Sequence, residues 1–219
     1  MSDRITVTCL YDPLCGWCYG AHPALTWLRA HDDVALAVLP VGLFAGRGAF
    51  PMDAGFAAHA WSADQRIAVL TGQPFSEAYR TQVLESRAGP VDSGPATLAL
   101  TAVRLTAPDR EPDALAAVQA ARYVGGRDIA APGVLADILD EAGLAPAAAR
   151  LRAADATLHE AAAARMAAGR AAMARHGLRG VPALVVGGGD GRGLDGAHLF
   201  GDRDALLRAL LRALRGARR

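Results

Sequence analysis

Cys15 and Cys18 stand three positions apart in the run DPLCGWCYGAHP (12–23), and the 219-residue chain has only one other cysteine, Cys9. Two thiols at this spacing can exchange disulfides, or they can supply half of a metal's ligands. Thiol chemistry needs the thiolate, and a free cysteine titrates at about 8.5. The N-terminus of a helix, with unsatisfied N–H groups and the positive end of the helix dipole, favours S⁻. A pair that opens a helix therefore has unequal members. Cys15, at or just before the first turn, is placed to attack; Cys18, one turn further in and less exposed, is placed to resolve the mixed disulfide. Gly16 and Trp17 lie between them and help set the reduction potential, and Tyr19, His22 and Pro23 flank the pair. His22 reads first as a polar side chain on the solvent side of a helix, with proton shuttling or thiolate stabilisation as the alternative. Trp17 is either a flat apolar surface for a bound peptide or an ordinary packing residue.

The metal reading lacks partners. A structural zinc wants four ligands, commonly from a second C-x-x-C or an H-x-x-x-H pair. The chain has neither, and histidines 22, 31, 59, 159, 176 and 198 are scattered. Cys9 alternates with Thr6 and Thr8 in a strand-like run and reads as a small buried hydrophobe. No metal site and no organic cofactor are expected. The glycines of 187–191 do not make a phosphate loop, because the G-x-x-x-x-G-K-[ST] pattern is missing and the chain contains no lysine.

The elements that must position the pair follow from periodicity. Arg4 to Tyr11 alternates as a strand that stops at Asp12-Pro13, and Ala24, Leu25, Trp27 and Leu28 recur with helical spacing over 21–30. The apolar run from Val34 to Leu43 is a second strand, with Pro40 marking an edge position or a strand end. Strand, helix and strand in this order predict a parallel pair with a right-handed crossover. Helical segments then follow over 54–70, 75–84, 95–106, 113–124, 132–142, 146–154 and 157–176, with Ser93 as a candidate N-cap and a Pro132-to-Gly143 pattern that fits helix start and stop. Strand character returns at 182–186, the glycine-rich 187–191 turns, and Ala197 to Phe200 is expected to pair as the second strand of a hairpin. An amphipathic helix over 202–214 ends the pattern. Pro182, after Gly180-Val181, either simply starts a strand or forms a cis bond beside the sulfurs. The outer segments, 1–50 and 178–219, have the size of a small α/β domain. The expected division is therefore that domain with an α-helical domain, 51–177, inserted.

Composition narrows the class of function. Hydrophobic residues make up 52% and charged residues 21%, as in a globular protein with a real core. A net charge of +1 provides no global attraction for nucleic acid or anionic membrane, and neither is expected as a partner. No apolar run approaches the ~18 residues of a membrane span. The start, MSDRITVTCLYDP, has no basic segment leading into a long apolar stretch, so the expected compartment is the cytoplasm. Thiols there are normally kept reduced, which favours a catalytic C-x-x-C over a permanent bridge.

These residues carry a resemblance. "DPLCGWCYG" closing a strand, a helix directly after it, a helical insertion and "GLRGVPALVV" resemble the DsbA-like branch of the thioredoxin fold, especially its cytoplasmic protein-disulfide isomerase and DsbA-type oxidoreductase group. "TGQPFSEAY", "VDSGPATLAL" and "YVGGRDIAAPGVLADILDEAGL" extend the likeness over nearly the whole chain. The resemblance implies a thioredoxin fold with the helical domain between its βαβ and ββα halves. It also implies a nucleophilic Cys15, a resolving Cys18, a cis Pro182, and Val181 with Pro182 in substrate binding. The implied activity is thiol-disulfide exchange through the CGWC dithiol with thiol- or disulfide-containing proteins, or with small thiols such as glutathione. Gly-Trp stands where periplasmic oxidants of this family commonly have Pro-His, so strongly oxidising character is not implied. Two other functions fit the fold: a glutathione-dependent isomerase or transferase, whose relatives typically have serine at the first motif position and lack the second cysteine, and a non-catalytic peptide-binding module.

Overall fold

The structure, a computed structural model, describes residues 4–86, 89–188 and 190–217; of the segments discussed above, residues 1–3, 87–88, 189 and 218–219 lie outside the described residues. β1 (Ile5–Tyr11) is followed by α1 (Gly16–Gly20), α2 (His22–Ala30) and β2 (Val34–Pro40). β1 and β2 run parallel, from Ile5 opposite Val34 to Tyr11 opposite Pro40. β2 is an edge strand and ends at Pro40, as a residue without an N–H to donate requires. β1 is central, and alternation decides what each of its faces meets. Val7, Cys9 and Tyr11 point into the main core, while Leu10 joins Val41, Ala183 and Val185 on the other face.

The middle of the chain is helical: β3 (Phe50–Pro51), α3 (Ala54–Thr71), α4 (Glu77–Tyr79), a π-helical turn (Arg80–Glu85), β4 (Pro90–Val91), α5 (Gly94–Thr106), α6 (Glu111–Tyr123), α7 (Pro132–Glu141), α8 (Ala145–Ala153) and α9 (Ala156–Arg175). β3 and β4 form a two-residue antiparallel ladder. α5 is the hub. Its residues 99–103 are buried without interruption, and it packs against α6, α7, α8 and α9. α7 starts at Pro132 and Gly143 follows its end with φ +71°, the expected asymmetry. The segment expected as one helix over 75–84 divides into α4 and the π turn; over so few residues periodicity cannot separate the two hydrogen-bond patterns. Among the described residues no helix is long and apolar enough to cross a membrane.

The chain returns to the sheet through β5 (Ala183–Val186) and β6 (Arg192–Asp195), before α10 (Arg203–Ala217). β5 is antiparallel to β1, and β6 is antiparallel to β5, giving the order β2-β1-β5-β6. The expected hairpin partner, Ala197 to Phe200, is corrected: the strand is Arg192–Asp195, and 196–199 forms a 3₁₀ turn. The cause is local. Asp195 accepts a hydrogen bond from the Ala197 N–H at 2.9 Å, which turns the chain out of the ladder. α9 closes on the sheet so tightly that a Cβ on Gly169 would lie 2.2 Å from the Pro40 carbonyl oxygen.

Candidate active site

The motif is held from beneath by Asp12. Its carboxylate is fully buried at the end of β1 and accepts hydrogen bonds from the Leu14 N–H (2.9 Å), the Phe44 N–H (3.2 Å) and the Ser93 hydroxyl (2.7 Å). Its carbonyl accepts from the Cys15 N–H at 3.1 Å. One side chain thereby ties the cysteine loop to the segment after β2 and to the start of α5. Burial raises the Asp12 pKa above the usual carboxylate range, and these hydrogen bonds oppose the shift. Ser93 does precede α5, but its hydroxyl serves Asp12 and does not cap the helix.

Cys15 occupies the N-cap position of α1 in extended conformation, and Cys18 lies within the helix. The helix is shorter than expected. It breaks at Ala21, and α2 begins at His22-Pro23, where the proline has no N–H to continue the α1 ladder. All three cysteines are free thiols. Cys15 is 9% exposed and Cys18 2%. Cys18 is held well above the ordinary thiol range by burial first, then by its hydrogen bond to Cys15 and by repulsion from it. Burial pushes Cys9 up to about 12, which keeps it inert at neutral pH.

The loop that leads into β5 faces Cys15. The Val181–Pro182 peptide is cis, and the Cys15 thiol donates to the Val181 carbonyl across 3.5 Å. Gly196 backs this loop. A Cβ there would fall 2.2 Å from the Pro182 carbonyl oxygen and 3.2 Å from its carbonyl carbon, and backbone has little room to yield. Gly196→Ala is expected to destabilise the protein by about 1–3 kcal/mol, the usual cost of overpacking. Thermal unfolding checks this, and an unchanged midpoint would contradict the close approach.

The other residues proposed from the sequence divide into two groups. Trp17 is 38% exposed and meets Phe200 edge to face at 5.1 Å, so it both packs and presents surface beside Val181 and Pro182. Gly16 lies under Asp64 of α3; a Cβ at Gly16 would sit 2.2 Å from that carboxylate. Tyr19 packs into an aromatic cluster, stacked on Tyr123 at 4.8 Å, with its hydroxyl donating to the Pro74 carbonyl at 3.2 Å. His22 is buried, which corrects its reading as a side chain facing solvent. Its Nε2 meets Gln119 Oε1 at 2.6 Å, while Gln119 Nε2 donates to the Pro13 carbonyl at 3.1 Å. That second bond leaves the Gln119 oxygen as an acceptor, so His22 Nε2 is the donor. Burial lowers the His22 pKa, and the ring acts as a neutral strut between α2, α6 and the motif loop. α6 also supplies Tyr123, whose hydroxyl donates to the Leu14 carbonyl at 2.8 Å.

Asp12, Asp64, Gln119, Tyr123, Gly196 and Phe200 thus shape the site, although sequence reasoning did not single them out. Only Asp12 carried a local signal, its place beside Pro13 at the end of a strand. The others reach the motif through tertiary packing.

A β2-β1-β5-β6 sheet with a C-x-x-C after β1 and a cis proline facing it directly before β5 defines the thioredoxin fold. Within that fold the chain belongs to the DsbA-like family: the profile of the DSBA-like thioredoxin domain matches residues 6–204. Among solved structures it resembles the cytosolic disulfide reductase DsbM from Pseudomonas aeruginosa, with 32% identity and a TM-score of 0.79 over 94% of this chain and 98% of that one. The structure of the same reductase with GSH gives 33% identity and a TM-score of 0.80 over 94% and 99%. A variant of P. aeruginosa DsbA shares the fold at 19% identity and a TM-score of 0.55, over 100% of this chain and 89% of that one. A comparison with curated proteins found no match.

Proposed function

We propose that this protein is a cytoplasmic thiol-disulfide oxidoreductase in which Cys15 is the nucleophile and Cys18 the resolving thiol. The carrying observation is the unequal setting of two free thiols: Cys15 at the helix mouth against the Val181 carbonyl, Cys18 deeper in the same turn. The Cys15 thiolate attacks a substrate disulfide RSSR, forming Cys15–S–S–R and releasing RS⁻. Cys18 then attacks the Cys15 sulfur, forms the internal disulfide and passes its proton to the second departing RS⁻. The net change is dithiol plus RSSR to internal disulfide plus two thiols, and the reverse reaction oxidises a dithiol substrate. A thiol held protonated by burial suits Cys18, because it stays unreactive until the mixed disulfide is beside it.

The cytosolic reductase and its structure with GSH support reduction in the cytoplasm and a glutathione-class partner. Retention of both sulfurs favours dithiol exchange over the serine-type glutathione isomerases and over a non-catalytic peptide-binding module. Equilibration in a series of glutathione buffers tests the proposal, with mass spectrometry of the Cys15–Cys18 peptide as readout. The expected result is a two-electron transition between dithiol and internal disulfide, more reducing than the ~−120 mV of the strongest oxidants of this fold. Failure to form that disulfide anywhere in the series would reject the assignment.

A further inference from the structure

We propose that Arg179, on the lining of the cleft beside the dithiol, is a specificity-determining residue that pairs with a carboxylate of a glutathione-sized peptide thiol or disulfide. This rests on the exchange reaction and the glutathione-class partner proposed above and adds to them the residue that recognises the partner's charge.

The cleft has a volume of about 990 Å³, at the upper end of the range for small-molecule sites. Trp17, Leu70 and Phe200 make an apolar wall, and Val181, which shares the lining, has its carbonyl 3.5 Å from the Cys15 sulfur. Gly180 and Gly193 contribute backbone and no side chain, and the space where a Gly180 Cβ would point is empty to 4 Å. An extended chain can therefore lie close to this wall.

Charge then selects the occupant. Arg179 is exposed on the lining, and among the described residues it forms no salt bridge. It stands two residues before Val181, so at most about 7 Å of backbone separates it from the carbonyl that touches Cys15. Asp195 lines the same cleft, with one carboxylate oxygen accepting from the Ala197 N–H. A guanidinium and a carboxylate flanking an apolar wall complement a peptide that carries a carboxylate and an ammonium group on either side of its sulfur. His176 is the third ionisable group on the lining.

The test compares two oxidants of the reduced protein, glutathione disulfide and the uncharged bis(2-hydroxyethyl) disulfide, by their second-order rate constants. The reaction is identical for both: two Cys thiols and one disulfide become the Cys15–Cys18 disulfide and two small thiols. In Arg179→Ala the ratio of glutathione disulfide to the uncharged disulfide is expected to fall about tenfold, the loss of one charge-assisted hydrogen bond. Arg179→Lys should recover part of it, whereas Arg152→Ala, which removes a guanidinium paired with Asp140 and outside the cleft lining, should leave the ratio at the wild-type value. High salt should narrow the wild-type ratio towards that of Arg179→Ala. Equal loss with both oxidants would assign Arg179 to loop structure and overturn the proposal, as would a wild-type protein that shows no preference between them. A protein that reacts with neither oxidant would instead reject the exchange reaction on which this inference rests.

Discussion

Cys15→Ser is expected to lower disulfide exchange by about a thousandfold or more, the usual scale for removing a nucleophile, whereas Cys18→Ser should complete the first step and stop as a mixed disulfide. The difference follows from position. Cys15 is at the open end of α1 with the Val181 carbonyl against its sulfur, and Cys18 is almost entirely covered. An incoming disulfide reaches Cys15 first, and only a sulfur already bonded at Cys15 is presented to Cys18. Insulin reduction measures the turnover of both variants. Mass spectrometry after exposure to glutathione disulfide identifies the trapped adduct, expected as one glutathione on Cys15 in Cys18→Ser and none in Cys15→Ser. Cys9 serves as the internal control: its thiol, buried on β1 and pushed up to about 12, should stay unmodified in every sample. An adduct on Cys18 in the Cys15→Ser protein would reverse the assigned roles.

The sequence made the scaffold legible because its signals were local. Alternation in Ile5, Val7 and Cys9 marks the central strand, Pro40 marks the end of an edge strand, and Pro132 with Gly143 brackets α7. The C-x-x-C and the Val181-Pro182 pair were equally visible, and the structure brings them to one place. What escaped was decided by contacts between distant segments. His22 is polar and begins a helix, yet Gln119, 97 positions away, covers it. Asp64 lies on a helix with weak amphipathicity, and nothing near it in the chain announces that it packs over Gly16. β6 was missed for a different reason: RGLD, with a charge at each end and a glycine inside, has little strand character, and it is held in the sheet by pairing with fully buried β5. Propensity assigned the strand to the more apolar AHLF, but the Asp195 side chain turns that segment out of the ladder.

Asp64→Asn is expected to stabilise the protein at alkaline pH and to remove part of its pH dependence. Asp64 is buried between α3 and the motif, and its Oδ2 accepts the Tyr79 hydroxyl at 2.9 Å. Burial moves its pKa from 3.8 to about 7, only partly opposed by that hydrogen bond and by Arg122. Below about pH 4 the carboxyl is neutral in both folded and unfolded chains and has no effect on stability. Between there and about pH 7 the unfolded chain ionises while the folded one keeps its proton, so the folded state binds more protons and stability falls as pH rises. A separation of roughly three pH units, at 1.36 kcal/mol each, sets a ceiling of about 4 kcal/mol. Asparagine keeps an acceptor for Tyr79 and nearly the same shape, but it has no proton to lose. Denaturant unfolding of both proteins at pH 5 and pH 8 isolates this contribution. His22, whose lowered pKa acts in the opposite sense by favouring the unfolded chain in acid, is common to both proteins and cancels. Asp12 and Glu111, raised by burial like Asp64, cancel as well. The expected result is a stability gain for Asp64→Asn that grows from pH 5 to pH 8; a difference that stays constant with pH would mean that Asp64 ionises freely in the folded protein.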